Sequence, residues 1–164
     1  EEIFIFGAGH VGKALARIAS AGGFRVTVWD ERSEYANEEN IPWANTIACP
    51  IDDLFHSPEY AGLIHESSYV VVVTRGHSLD SGVMQRLEGR GAAYIGVIGS
   101  RGKIAFVDKQ LKEQGTSEAF QRSTYRPIGL PIGAETPEEI AVSILAEIIA
   151  VKRGANVTAL REAK

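Results

Sequence analysis

Three glycines near the start of the chain, Gly7, Gly9 and Gly12, stand at the spacing G-x-G-x-x-G inside "FGAGHVGKAL". Each can serve a different purpose. Gly7 permits a tight turn, Gly9 lets backbone approach a phosphate, and Gly12 lets a helix pack closely on a strand. The amides of His10 and Val11 would then lie at the positive end of a helix, which favours an anionic group. Asp30 follows 18 residues after Gly12, where a carboxylate can accept hydrogen bonds from ribose hydroxyls. It could equally cap a turn. Arg32, two positions on, leaves the choice between NAD and NADP open. His10, in the first turn of the same helix, can reach a bound phosphate or simply face solvent.

Three further loops carry reactive side chains. "TRGHSLD" contains Thr74, Arg75, His77 and Asp80. If Ser78 caps the next helix, His77 and Asp80 start it together, as a proton donor with its orienting carboxylate or as two metal ligands. Acidic and small polar groups are also ordinary at a helix start. "GSRGK" offers Gly99, Ser100 and Arg101 as a second anion site, or as a capped turn with solvated charges. "RPIGLPIGAE" is stiffened by prolines, which suits the wall of a pocket or rigid packing alike.

The elements that must hold these loops read as alternating strands and helices. "IFIF" and the run Tyr69 to Thr74 are continuously apolar, as in parallel strands buried on both faces. "RVTVWD", a short strand near Thr46 to Ala48 and the run Tyr94 to Gly99 complete the main set. A last strand is expected near Ile128 to Leu130. Helices are expected after the glycines, over Asp80 to Arg90 and over Lys103 to Gln114. A long helix follows Thr136, with Pro137 at its first position and Glu139 completing a capping box. Its apolar positions Ile140, Ala141, Ile144, Leu145, Ile148 and Ile149, with Val142, Ala146 and Val151 beside them, form a surface broad enough to be buried from two sides. That surface suits a central helix, a missing domain or a second copy in a homodimer. The alternation implies a parallel α/β sheet in one domain over residues 1–154, with 155–164 a tail that is frayed or a peripheral helix.

Bulk properties narrow the function. The chain has 164 residues, 17 basic against 21 acidic, for a net charge of −4, which argues against a nucleic-acid surface. No apolar run is long enough for a membrane helix. A single cysteine, Cys49, excludes an internal disulfide and a multi-thiolate metal site, no metal site is expected, and a reducing, cytoplasmic setting fits. The chain starts at Glu1 directly on a strand, and Met84 is its only methionine, so an upstream segment is expected to be missing.

Together, "FGAGHVGKALARIA", "VTVWDER", "TRGHSLD", "YIGVIGSRGK" and "RPIGLPIGAETPEEIAVSILAEIIAVKRG" resemble the carboxyl-terminal domain of the xanthine dehydrogenase accessory factors, the XdhC/CoxI family. The resemblance implies an α/β fold, a three-layer, Rossmann-like, doubly wound parallel sheet in a single domain, within a maturation protein for molybdenum hydroxylases. Such a protein binds molybdenum cofactor, assists its sulfuration by a cysteine desulfurase and passes it to the apo-enzyme. It implies a chaperone more than a catalyst, and an upstream family domain with a Gly-Gly-Cys motif that is absent here and that Cys49 does not match. Some relatives read Thr-His-Asp-His where this chain reads Thr74, Arg75, Gly76 and His77. The cofactor stays open between molybdopterin and NAD(P). An NAD(P)-dependent oxidoreductase and a nucleotide-sensing module remain alternatives, because fold does not settle function.

Overall fold

The computed structural model describes residues 1–162. Its centre is a five-stranded, all-parallel sheet. The strands are β1 (Glu2–Phe6), β2 (Arg25–Trp29), β3 (Asn45–Ile47), β4 (Ser68–Val72) and β5 (Tyr94–Val97), in the order β3-β2-β1-β4-β5. The order reverses between β1 and β4, so the chain winds outward in both directions from that line.

The period-two alternation of side chains in β1 divides the core. Ile3 and Ile5 point to one face, joined by Val26, Val28 and Val71; Phe4 and Phe6 point to the other, joined by Val70, Val72 and Val97. Helices α1 (His10–Ala21) and α6 (Pro137–Lys152) cover the first face through Leu15, Ala16, Ala19, Ile144 and Ile148. Helices α3 (His77–Leu87) and α4 (Arg101–Glu113) cover the second through Val83, Met84, Ile104 and Leu111. Short helices α2 (Ile51–His56), α5 (Glu118–Ser123) and α7 (Val157–Glu162) are peripheral. The architecture is therefore a three-layer α/β fold in one domain. Among the described residues no helix is long and apolar enough to cross a membrane.

Several boundaries differ from those the sequence suggests. Helix α3 begins at His77, with Gly76 and not Ser78 at its N-cap, and ends at Leu87. The expected strand at Ile128 to Leu130 is a single parallel bridge between Gly96 and Tyr125. The Tyr125 amide donates to Ile95 and its carbonyl accepts from Val97. Pro127, which has no N–H, interrupts that ladder before the Ile128 amide reaches the Val97 carbonyl. Helix α5, capped by the Ser117 hydroxyl, has no counterpart among the expected helices because it is only six residues long.

Helix α6 starts as expected. The Thr136 side chain accepts from the Glu139 amide while the Glu139 carboxylate accepts from the Thr136 amide. Within this chain its broad apolar surface is only partly covered, since Val142 and Ile149 are 50% and 43% exposed. Glu147 takes a fully buried place among the apolar residues. Of the expected tail 155–164, the segment Val157–Glu162 is a peripheral helix and residues 163 and 164 lie outside the described residues.

Candidate functional site

The turn between β1 and α1 is fixed by backbone. The Gly7 amide donates to the Trp29 carbonyl at 2.8 Å, and Gly7 adopts φ +117°. A Cβ on Gly7 would overlap the Val73 carbonyl, and one on Gly12 would overlap the Gly7 carbonyl. Both glycines are therefore needed for the turn to close against β4 and α1. Gly9 differs, because a Cβ there would meet nothing. It faces open space.

That space is a cleft of about 330 Å³ at the carboxyl ends of β1 and β4, where the strand order reverses. Gly7, Gly9, His10, Val11, Arg32, Thr74, Arg75, His77, Asp80 and Gly99 all line it. Helices α1 and α3 both open onto it with glycine N-caps, Gly9 and Gly76, and neither is capped by a side chain. By contrast α4, α5 and α6 are capped by the hydroxyls of Ser100, Ser117 and Thr136. The first amides of a helix have no partner within it. In α1 and α3 they remain free to bind an anion in the cleft.

Asp30 is not part of the cleft lining. It is 5% exposed and lies behind the glycine turn. Its Oδ2 accepts from the Ala8 amide at 3.0 Å and from Arg32 Nη2 at 2.9 Å; its Oδ1 accepts from the Arg32 amide at 3.0 Å and from Arg32 Nε at 2.9 Å. A carboxylate has about four acceptor sites, so all are filled. Burial pushes the Asp30 carboxyl up, but the bonds from Arg32 and the Ala8 amide outweigh it and hold the group below the ordinary range. The guanidinium also stacks over Tyr35, 3.9 Å from the ring centre. Asp30 thus braces the glycine turn, and a ribose hydroxyl would have to displace Arg32 to reach it.

Thr74, Arg75, His77 and Asp80 do converge on the cleft, with different pairings from those expected. Asp80 bonds to the Thr74 hydroxyl and, at 3.2 Å, to the Thr74 amide. His77 packs edge-on to Phe106 with ring centres 4.8 Å apart and has no hydrogen bond to Asp80 among the described residues. Asp80 is 4% exposed, and burial pushes its carboxyl up to about 6 despite the opposing Thr74 bonds. Arg75 pairs with Glu31 at 3.1 Å. No cluster of three or more His, Cys, Asp or Glu suited to a metal occurs among the described residues.

The "GSRGK" loop forms the partition between this cleft and a second one of about 650 Å³. Ser100 caps α4, accepting from the Lys103 amide, so the capped-turn reading describes its geometry. Arg101 lines the second cleft and not the first. Beneath it lies a network that the sequence reading does not contain. Glu147 Oε1 accepts from the Tyr94 hydroxyl at 2.7 Å and the Gly129 amide at 3.1 Å, while Oε2 pairs with Arg161. The lone carboxylate within the apolar turns of α6 is the signal in the sequence that points to it.

The chain as a whole is similar to known proteins. The model of the XdhC Rossmann domain matches residues 3–148. The chain is 34% identical to the uncharacterized protein YqeB of Escherichia coli K12, over 93% of this chain and 28% of that protein. It is 33% identical to a probable xanthine dehydrogenase subunit from Bacillus subtilis 168, over 92% and 43% respectively. A crystal structure described as a xanthine dehydrogenase from Bacillus halodurans superposes with a TM-score of 0.78 at 30% identity, covering 94% of this chain and 43% of that one. The chain thus spans less than half the length of these relatives.

Proposed function

This chain belongs to the XdhC Rossmann-domain family, and from that premise we propose that it serves an accessory factor for a molybdenum hydroxylase of the xanthine dehydrogenase type. In this reading the domain holds a phosphate-bearing cofactor, molybdenum cofactor or a nucleotide, in the glycine cleft. It thereby assists sulfuration and insertion in the cytoplasm, with the apo-hydroxylase and a cysteine desulfurase as partners. The observation that carries the reading is the open space in front of Gly9, faced by two helix starts that no side chain caps. Backbone amides of Gly9, His10 and Val11 would hold a phosphate, with the Arg32 and Arg75 side chains in the surrounding wall. Molybdopterin and nucleotides both carry such a group. The bound cofactor would supply the oxo-transfer centre of the client enzyme; this chain supplies binding and shielding.

Thermal unfolding with molybdopterin, NAD+, NADP+ or ADP added tests the reading, because a ligand that binds the native state raises Tm. We expect at least one of them to stabilise the wild type. Gly9 lines the cleft, and the Cβ of Gly9→Val would meet no protein atom within 4 Å. That variant should keep its own Tm within a few degrees and lose the ligand-induced rise. A retained rise would remove the glycine cleft from the account.

A second reading, an oxidoreductase using a nicotinamide cofactor, draws support from Asp80. A carboxyl raised to about 6 beside the cleft suits a general acid near neutral pH. Hydride transfer from NADH to an acceptor, lost in Asp80→Asn, would favour it.

A further inference from the structure

We propose that the outer surface of α1 is a docking groove for an acidic segment of a partner protein that carries one large apolar side chain among its carboxylates. The groove holds about 490 Å³ and is lined by α1 together with Trp43 and the first residues of α6, Pro137 and Glu138. It shares only His10 with the glycine cleft and nothing with the second cleft. Occupation of the groove does not depend on what the glycine turn holds.

The sequence of α1, HVGKALARIASA, sorts its outer side into two stripes. Lys13 and Arg17 stand four apart on one line, and Ala14 and Ile18, each one position on, stand on the next. All four line the groove. Ala14 and Ile18 also pack against the core, so the floor is apolar and fixed. Helix α1 has no acidic residue to answer its two cations, and neither forms an ion pair among the described residues. Lys13 Nζ donates to Asn40 Oδ1 at 2.9 Å, a neutral partner that leaves its charge uncompensated. The Arg17 guanidinium lies 5.7 Å from the centre of the Trp43 ring, a contact that leaves its N–H fork for a carboxylate. Trp43 is 37% exposed, and tryptophan and arginine are the side chains on which protein interfaces most often anchor. The one carboxylate in the lining, Glu138, stands in the first turn of α6, where the helix dipole favours it. In a chain of net charge −4, two uncompensated cations over an apolar floor fit a segment that is both acidic and apolar. A flat anionic lipid surface would call for a broader basic face.

Fluorescence polarisation tests this with synthetic peptides of about ten residues, in which Asp and Glu flank a single Leu, Phe or Trp. Matched peptides carry Lys in place of the acids, or Ser in place of the apolar residue. At least one acidic-apolar peptide should bind the wild type tenfold or more tighter than its Lys and Ser counterparts. Arg17→Glu should weaken it at least tenfold and Trp43→Ala at least threefold. Arg122→Glu, a reversal on exposed α5 away from the groove, should stay within twofold of wild type. Arg17→Glu should also bind the Lys counterpart more tightly than the wild type does. If Trp43→Ala fails to fold, Arg17→Glu, at an exposed position, decides. Failure of every acidic peptide to bind the wild type overturns the proposal. So does a peptide indifferent to both groove variants, or equal binding by peptides that lack the apolar residue. Binding of the wild type to phosphatidylserine vesicles, or self-association in sedimentation, that both groove variants abolish would overturn it too, by assigning the groove to a lipid surface or a second copy.

Discussion

At the scale of single residues, the three glycines of the fingerprint have separable tasks. Gly7 and Gly12 are structural, because a Cβ on either would run into a backbone carbonyl that cannot move aside cheaply. Gly12→Ala should therefore cost on the order of 3 kcal/mol or more in denaturant unfolding. Gly9→Val should cost little. A Gly12→Ala protein as stable as wild type would show that the turn relaxes more readily than its packing implies. Asp80 makes a second residue-level prediction. Its carboxyl titrates near 6 in the folded chain against 3.8 as its ordinary value, so the native state binds more protons than the unfolded state between those values. Stability from this group is fully present below about pH 4 and declines as pH rises through 6. In Asp80→Asn that decline should vanish, since the amide oxygen can still accept from Thr74. The variant should gain on wild type between pH 4 and pH 8 by up to roughly 3 kcal/mol, read from unfolding midpoints at the two pH values. Parallel pH curves for the two proteins would contradict the assignment.

At the scale of elements, the last helix matters more than its length suggests. Arg161 reaches from α7 to the carbonyls of Pro127 and Gly129, and to Glu147, which is 0% exposed in the middle of α6. One side chain thus ties together α6, α7 and the loop that walls the second cleft. Removing it leaves a buried carboxylate without its cation, so Arg161→Ala should lose about 3 kcal/mol in denaturant unfolding. Glu147→Gln in that background should recover part of the loss, because the uncompensated charge is gone. If Arg161→Ala unfolds like wild type, α7 is not a structural part of the domain. The capping box of Thr136 and Glu139 shows the opposite case, an element boundary set by neighbours in sequence alone.

At the scale of the whole molecule, sheet order brings the chemistry to one edge. Reversal between β1 and β4 opens the crevice, and β5 extends it toward the 127–134 loop. Much of this is legible in the sequence. Continuous apolar runs mark β1 and β4, the spacing of Gly7, Gly9 and Gly12 marks the first crossover, and Thr136, Pro137 and Glu139 mark the start of α6. These signals are local: a strand buried on both faces, a turn without side chains and a capped helix each need only a few consecutive residues. Tertiary structure alone decided who partners whom. It gave Asp30, which the sequence leaves open between ribose acceptor and turn cap, the Ala8 amide and Arg32 as partners, and gave Asp80 to Thr74 instead of His77. It also set Glu147 on Tyr94 and Arg161. Residues distant in sequence meet only after the sheet has closed, and a buried carboxylate takes whichever donors the fold delivers, because leaving it unpaired costs more than any preference written nearby.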